Sequence, residues 1–465
     1  MTQNMKRLTL LIILSALAVF SLEAQTILPN GVAVTPDMAR GLDTPYDFSP
    51  VCLSASPGGY EAVFIEHYGR HGSRYAYSPQ FYTSLKRVLD QGAAEGVLTP
   101  FGKDLLERYS AKFDNYMNRM GDLSDIGWDQ LGHIARIMYN SYPDVFAGGD
   151  LKATASMSSR SIMSMSAFCV GFAQVAPTVP IKEDTGRVFL DGTNPRDRQN
   201  PFLVKRFEMD FPFPETLDEF QQRRVDPVTV LSRLFTDVDK ACGGQPKHLI
   251  VRDLYVLVVG MNSVPEDERT DFTGVFTPDE LALMWEVDNY QRYQEYFPYQ
   301  SRCQPILNHF IKDADERIQK GLKGATTRFG HDHVVMPVLA IMGINGYERW
   351  PGTTDEISTI FTSWDSPMAA NIQFIFYCPS GAAPTQENVI FRPLLNGRQV
   401  TLAFAPVFDG FYKWTDFKAW TSERNSVFVP LAETASSIDG RPERSFRSEG
   451  APRTGGNPRG GAPRR

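Results

Sequence analysis

The chain has 465 residues, with 47 Lys+Arg against 54 Asp+Glu, a formal net charge of −7, 42% hydrophobic and 12% aromatic residues. That composition supports a large core and excludes a wholly disordered chain. Residues 1–24 carry +1 and residues 441–465 carry +5, leaving −13 on residues 25–440; a body so acidic excludes a general nucleic-acid or anionic-membrane surface but leaves room for a local basic pocket.

At the start, Lys6 and Arg7 precede an apolar run from Leu8 to Phe20. A bilayer span needs roughly 20 apolar residues, so residues 1–24 read as a signal peptide, and the expectation is an exported (periplasmic or secreted) protein without an integral membrane segment. Ala62-Val63-Phe64-Ile65 is strand-like and runs into Arg70-His71-Gly72-Ser73-Arg74. A helical stretch follows from about Phe81 to Tyr142. Leu151 to Ala155 is a second strand candidate, and a helix starts at about Ser159 with Ile162, Met163, Met165, Phe168, Cys169 and Phe172 as its stripe. A second helical stretch runs from about Leu217 to Lys320 and contains Thr277-Pro278-Asp279-Glu280, a good helix start. Ala325 to Phe329 is a third strand, leading to His331-Asp332-His333. Pro337 is expected to open a short helix over Val338 to Met342. Residues 441–465 are rich in Arg, Gly and Pro and are expected to be a disordered tail.

These elements predict an α/β domain over residues 25–440. Its mostly parallel central sheet is flanked by helices, and a largely helical cap comes from roughly residues 80–145 and 190–320. Five cysteines (Cys52, Cys169, Cys242, Cys303, Cys378) in an exported chain predict one or two disulfides and at least one free thiol. Cys169, in an apolar helical pattern, is the candidate for a buried unpaired one.

In a parallel sheet, ligands sit beyond the carboxyl ends of the strands. The three strand candidates deliver Arg70, His71 and Arg74, then Arg160 at a helix start, then His331 and Asp332. If the strands are neighbours, three guanidiniums converge, which points to a dianionic ligand such as a phosphoryl group. A histidine among them is held neutral and nucleophilic, and attack on phosphorus forms a phosphohistidine. Asp332 is placed to protonate the leaving group. No metal and no other cofactor is required.

Arg70-His71-Gly72-Ser73-Arg74 resembles the Arg-His-Gly-x-Arg signature of the histidine acid phosphatases, the large branch of the histidine phosphatase superfamily. Leu123-Ser124-Asp125-Ile126-Gly127 is similar to the family's Leu-Thr-x-x-Gly element, Ala155 to Phe172 to its Ser- and Arg-containing helix, His331-Asp332 to its His-Asp pair, and Asn396-Gly397 suits a late hairpin. The resemblance implies His71 as nucleophile, Arg70, Arg74, Arg160 and His331 as phosphate ligands, and Asp332 as proton donor. Tyr75 and the Met336-Pro337 and Met342-Gly343 flank are similar to the multiple inositol-polyphosphate phosphatases, yet His333 stands where those enzymes carry a glutamate. The expected substrate is an inositol polyphosphate such as phytate. Alternatives are a sugar-phosphate or broad-specificity acid phosphatase and, from another class, a degenerate phosphate-ligand binding protein.

His333 reads as a helix-start residue, with positioning of the site or substrate contact as the other options. His67, His133, His248 and His309 read as structural. Gly96 to Lys103 looks like a phosphate loop but has five residues between its glycines and Asp104 at the magnesium position, so it is rejected, and no serine-hydrolase elbow is present. The pairs Lys205-Arg206 and Arg223-Arg224 read as solvated faces, with widening of a substrate pocket as the alternative.

Overall fold

The computed structural model describes residues 25–49, 51, 53, 56–200 and 212–426. The leader, the basic tail, Cys52 and Lys205-Arg206 lie outside the described residues. Strands β1 (Thr26–Ile27) and β2 (Ala33–Val34) form a small antiparallel pair. The main sheet comprises β3 (Tyr60–Arg70), β4 (Asp150–Ala155), β5 (Ile181–Thr185), β6 (Gly324–Gly330), β7 (Asn371–Pro379), β8 (Ile390–Leu395), β9 (Arg398–Gln399) and β10 (Tyr412–Lys413). Their order is β10-β8-β7-β3-β6-β4-β5, with β9 on β8. Strands β3, β6, β4 and β5 are parallel, and β7 to β10 add an antiparallel half. The architecture is α/β with a mixed sheet. Asn396-Gly397, both at positive φ (53° and 74°), makes the expected hairpin between β8 and β9.

Period-two alternation decides which side each strand residue faces. On β7, Ile372, Phe374, Phe376 and Cys378 enter one core, with helices α7 (Pro278–Tyr296), α8 (Gln304–Lys320), α9 (Asp332–Ile341) and α10 (Trp414–Asn425). Ile375 and Tyr377 enter the other, beneath α3 (Asp125–Ser141) and α4 (Ser159–Val175). A third core is helical and lies apart from the main sheet, built from α1 (Pro79–Ala94), α2 (Pro100–Asn118), α6 (Lys247–Gly260) and the first half of α7. The Gly96–Lys103 stretch is the start of α2, with Thr99 accepting from the Gly102 N–H. Among the described residues no helix is long and apolar enough to cross a membrane.

Three sequence expectations need correction. Helix α9 starts at Asp332, so Pro337 lies inside it. An interior proline removes the N–H that would bond the carbonyl four residues back; that carbonyl, on His333, accepts instead from Arg196 Nη1 at 3.0 Å. Cys169, Cys242, Cys303 and Cys378 are all free and buried, so the predicted pairing does not occur among the described cysteines. Each sits among apolar side chains and packs as a small hydrophobe. On α5 (Leu217–Arg224) the Arg224 side chain, 5% exposed, is not a solvated charge and bonds Glu286 and Asp355 at 2.6 Å each, whereas Arg223 stays exposed, as read, while bonding Glu215 and Asp355. Both are spent on an ion-pair network.

Candidate active site

Register puts the site together. Arg70 is paired with Gly330 across β3 and β6, and Phe329 with Ala155 across β6 and β4. Three parallel strands thus end side by side, and the next residues along the chain are His71, His331 and Ser156. The rings of His71 and His331 stand 5.6 Å apart, edge to face. Ser156 Oγ and His331 Nε2 are hydrogen-bonded at 3.0 Å. Strand β3 is longer than Ala62–Ile65 predicts and runs to Arg70, because it is paired on both sides, with β6 and with β7.

The backbone of the Arg70–Arg74 segment is fixed almost atom by atom. Arg70 N–H donates to Ala370 O, His71 N–H to Gly330 O, Gly72 N–H to Ser164 Oγ and Ser73 N–H to Gln130 Oε1. His71 O accepts from Ala369 N–H, and Ser73 O accepts from Ser124. Close packing explains two glycines: a Cβ on Gly127 would lie 2.2 Å from Ser73 O, and one on Gly72 would lie 2.5 Å from Gly127 O. The Leu123–Gly127 element therefore braces the segment by backbone-to-backbone contact, as the Arg74–Leu123 bridge also shows.

His71 is buried, and its Nδ1 lies 2.9 Å from Gly72 O. A carbonyl only accepts, so Nδ1 carries the proton and Nε2 the free lone pair. Burial, then Arg160, Arg70, Arg74 and His331, hold the His71 pKa well below its usual range. The imidazole is neutral and available as a nucleophile.

Arg70 is buried and spends Nη1 on two backbone carbonyls, Leu42 O and Ser366 O, at 2.7 Å each. Its Nε makes no hydrogen bond, and the same holds for the Nε of Arg74 and of Arg160. Arg74 also lies over the Tyr77 ring, 4.9 Å from its centroid. Arg160 stands in the first turn of α4, its pKa drawn down to about 10 by burial and then by Arg74. Three guanidiniums thus crowd one spot and repel one another.

Asp332 opens α9 with Oδ1 3.8 Å from Arg70 Nε, while Oδ2 accepts from the Tyr296 hydroxyl. Burial acts to raise this carboxyl, but Arg70, His333, Arg292 and the Tyr296 bond together hold it well below the usual carboxylate range. His333 lies in the first turn of α9, as expected of a helix-start residue. Its ring stacks on His331 at 4.9 Å and Nε2 bonds Asn194 Oδ1 at 3.0 Å, so it also orients the site. Burial drops its pKa to about 4.

All six residues expected from the sequence converge. Sequence reasoning missed Ser156, Asn194, Arg292 and Tyr296. Ser156 follows strand β4 directly and was accessible from the strand-end rule. The others arrive from segments whose facing no local pattern reveals. Of the structural histidines, His67 is buried with both nitrogens unbonded and His133 stacks on Phe48 at 4.4 Å. His248 lies 3.3 Å from Asp218, and His309 lies 4.0 Å from Asp191.

This architecture is the histidine acid phosphatase fold. The chain superposes on multiple inositol polyphosphate phosphatase from Bifidobacterium longum in complex with phosphate, with a TM-score of 0.68 at 20% identity, covering 83% of this chain and 98% of that one. For the inositol hexasulfate complex the TM-score is 0.66 at 19% identity, with 83% and 97% covered. The phytase from D. castellii matches with a TM-score of 0.64 at 14% identity, covering 90% of this chain and 91% of that one. At such identities the likeness establishes a shared fold. No family model matches the chain, and no curated protein sequence matches it.

Proposed function

We propose that this protein is a phosphomonoesterase that works through a phosphohistidine on His71, with an inositol polyphosphate such as phytate as substrate. The observation that carries the proposal is the set of three bond-free guanidinium Nε atoms around a histidine whose Nδ1 proton is already committed. A phosphoryl dianion offers acceptors to Arg70, Arg74, Arg160 and His331 and relieves their mutual repulsion. Nε2 of His71 attacks phosphorus, the bond to the leaving oxygen breaks, and that oxygen takes the Asp332 proton. In the second half, Asp332 accepts a proton from water as the water oxygen replaces Nε2 on phosphorus. The lowered pKa of Asp332 fits this cycle, because a bound dianion offsets the arginine field and restores the protonated acid. An acid optimum follows, since Asp332 must begin protonated. The leader read from the sequence adds export to the proposal. The fold neighbours that are phytases and an inositol polyphosphate phosphatase favour the substrate class.

The test is phosphate release from phytate at mildly acidic pH with His71→Ala as the blank. Turnover in the wild type that vanishes in the variant supports both nucleophile and substrate. Turnover only on aryl or sugar phosphates moves the substrate to those esters, and none on any monoester removes the enzymatic reading.

A further inference from the structure

Helix α7 presents three polar residues at four-residue intervals, Asp288, Arg292 and Tyr296, which share one helical face. Asp288 bonds Arg292 at 3.0 Å and Glu295 takes its other amino group at 3.3 Å, while Arg292 Nε is buried without a hydrogen bond. One turn on, the buried Tyr296 hydroxyl donates to Asp332 Oδ2. The tyrosine ring is held in turn by Arg196, 5.7 Å from its centroid, the same arginine that caps the His333 carbonyl left open by Pro337. Asp332 is thereby gripped on one oxygen only. Its Oδ1 is turned to Arg70, the edge of the arginine cluster where a phosphoryl group is proposed to sit.

We infer that Tyr296 is the positioning residue of the proton donor: it occupies Oδ2 so that Oδ1 alone carries the proton to the leaving oxygen. This rests on the phosphatase reading above. The groups facing Asp332 are Arg70 and Tyr68 from β3, Arg160 from α4, Arg292 and Tyr296 from α7, and His331 and His333 beside it. Among them Tyr296 is the neutral donor in direct hydrogen-bond contact. A bond donated to the carboxylate form favours that form, so its removal raises the pH at which Asp332 loses its proton. It also frees the carboxyl to rotate and place the proton on the wrong side. The sign for the pH profile and the sign for turnover are therefore opposite, which a merely structural tyrosine does not produce.

The experiment compares wild type and Tyr296→Phe on two monoesters, an alkyl phosphate whose alkoxide must be protonated and 4-nitrophenyl phosphate whose leaving group need not be. The expected result is a loss of about tenfold or more in kcat on the alkyl ester, within the range of general-acid effects. On the aryl ester the change stays within about twofold, and the alkaline limb of the alkyl-ester profile moves to higher pH. Replacement of Tyr296 by 3,5-difluorotyrosine keeps the ring and strengthens the donor, so the same limb moves to lower pH even where Tyr296→Phe fails to fold. Equal losses on both esters together with an unmoved limb in the fluorinated protein would overturn the inference while leaving the phosphatase reading standing. A wild type inactive on both esters and on phytate would overturn the two together.

Discussion

In the proposed cycle Asp332 carries a conflict, since the general acid must hold a proton and its neighbours strip it away. Arg70 stands 3.8 Å from it, and Arg292 and His333 add to the field. If a bound dianion restores the proton, ligand binding and proton uptake are coupled. Inorganic sulfate brings no proton of its own near pH 5, so calorimetry in two buffers of different ionisation enthalpy is expected to report uptake of a fraction of a proton by the wild type. Asp332→Asn is expected to bind sulfate without that uptake; equal uptake by both would assign the proton elsewhere. The same variant is expected to lose on the order of 100-fold in kcat on alkyl phosphates, checked by phosphate release. At this scale the sequence was legible where chemistry is dense. Two arginines flanking a histidine after a strand, and a histidine-aspartate pair after another, announce themselves. Tyr296 does not, because it lies 36 positions from Asp332 on a helix whose face toward the site is set only by tertiary packing.

Among the elements, legibility followed local physics. The Thr277 capping box forms as Thr277-Pro278-Asp279-Glu280 predicts, with side chain and backbone bonded reciprocally. Pro337 misled, because the general preference of proline for a first turn was outweighed by a partner from elsewhere. Arg196 supplies the bond that the interior proline withholds, and no short-range pattern encodes that partner. Helix α3 shows a constraint of another kind. Its first turn lies against the Arg70–Arg74 segment at glycine distance, so Gly127→Ala places a methyl 2.2 Å from Ser73 O. Overpacking of this sort costs typically 1–3 kcal/mol. We expect a lowered Tm and a weakened sulfate affinity in Gly127→Ala, read by thermal unfolding with and without sulfate. A drop in Tm without loss of affinity would show that the segment tolerates the shift.

For the molecule as a whole, burial of neutral histidines sets the response to acid. His67 is held near 3 by burial and Arg328, His333 near 4, and His71 and His331 well below the usual value. Above pH 6.5 these rings are neutral both folded and unfolded. Below it the unfolded chain takes up protons that the folded chain refuses, so stability falls as pH falls from 6.5 toward those lowered values, by about 1.4 kcal/mol per pH unit for each proton. Glu66, raised to about 7 by burial despite Arg328, works in the opposite direction, since the folded state holds its proton first between 4.5 and 7. His67→Leu removes one refusing ring outside the site. Its unfolding free energy is expected to fall less steeply between pH 6 and 5 by about that one-proton slope, measured by urea denaturation. An unchanged slope would mean that His67 is protonated in the folded protein. Three of the four parallel strands were readable from apolar runs; β5 was not, because Ile181–Thr185 is mostly polar, and neither was the antiparallel half of the sheet, whose strands are short or lack the charged or histidine-bearing endings that marked β3 and β6.

Strand β3 also dictates when the site comes into being. Its residues Phe64 to Arg70 are hydrogen-bonded to Gly324–Gly330 on one side and to Asn371–Phe376 on the other. Closing contacts across some 260 to 310 positions is slow in chain-entropy terms. His71 therefore leaves the ribosome long before either neighbour of its strand exists, and a nascent or truncated chain ending short of β6 holds His71 without His331 and Asp332, so the proposed site is completed only late in synthesis.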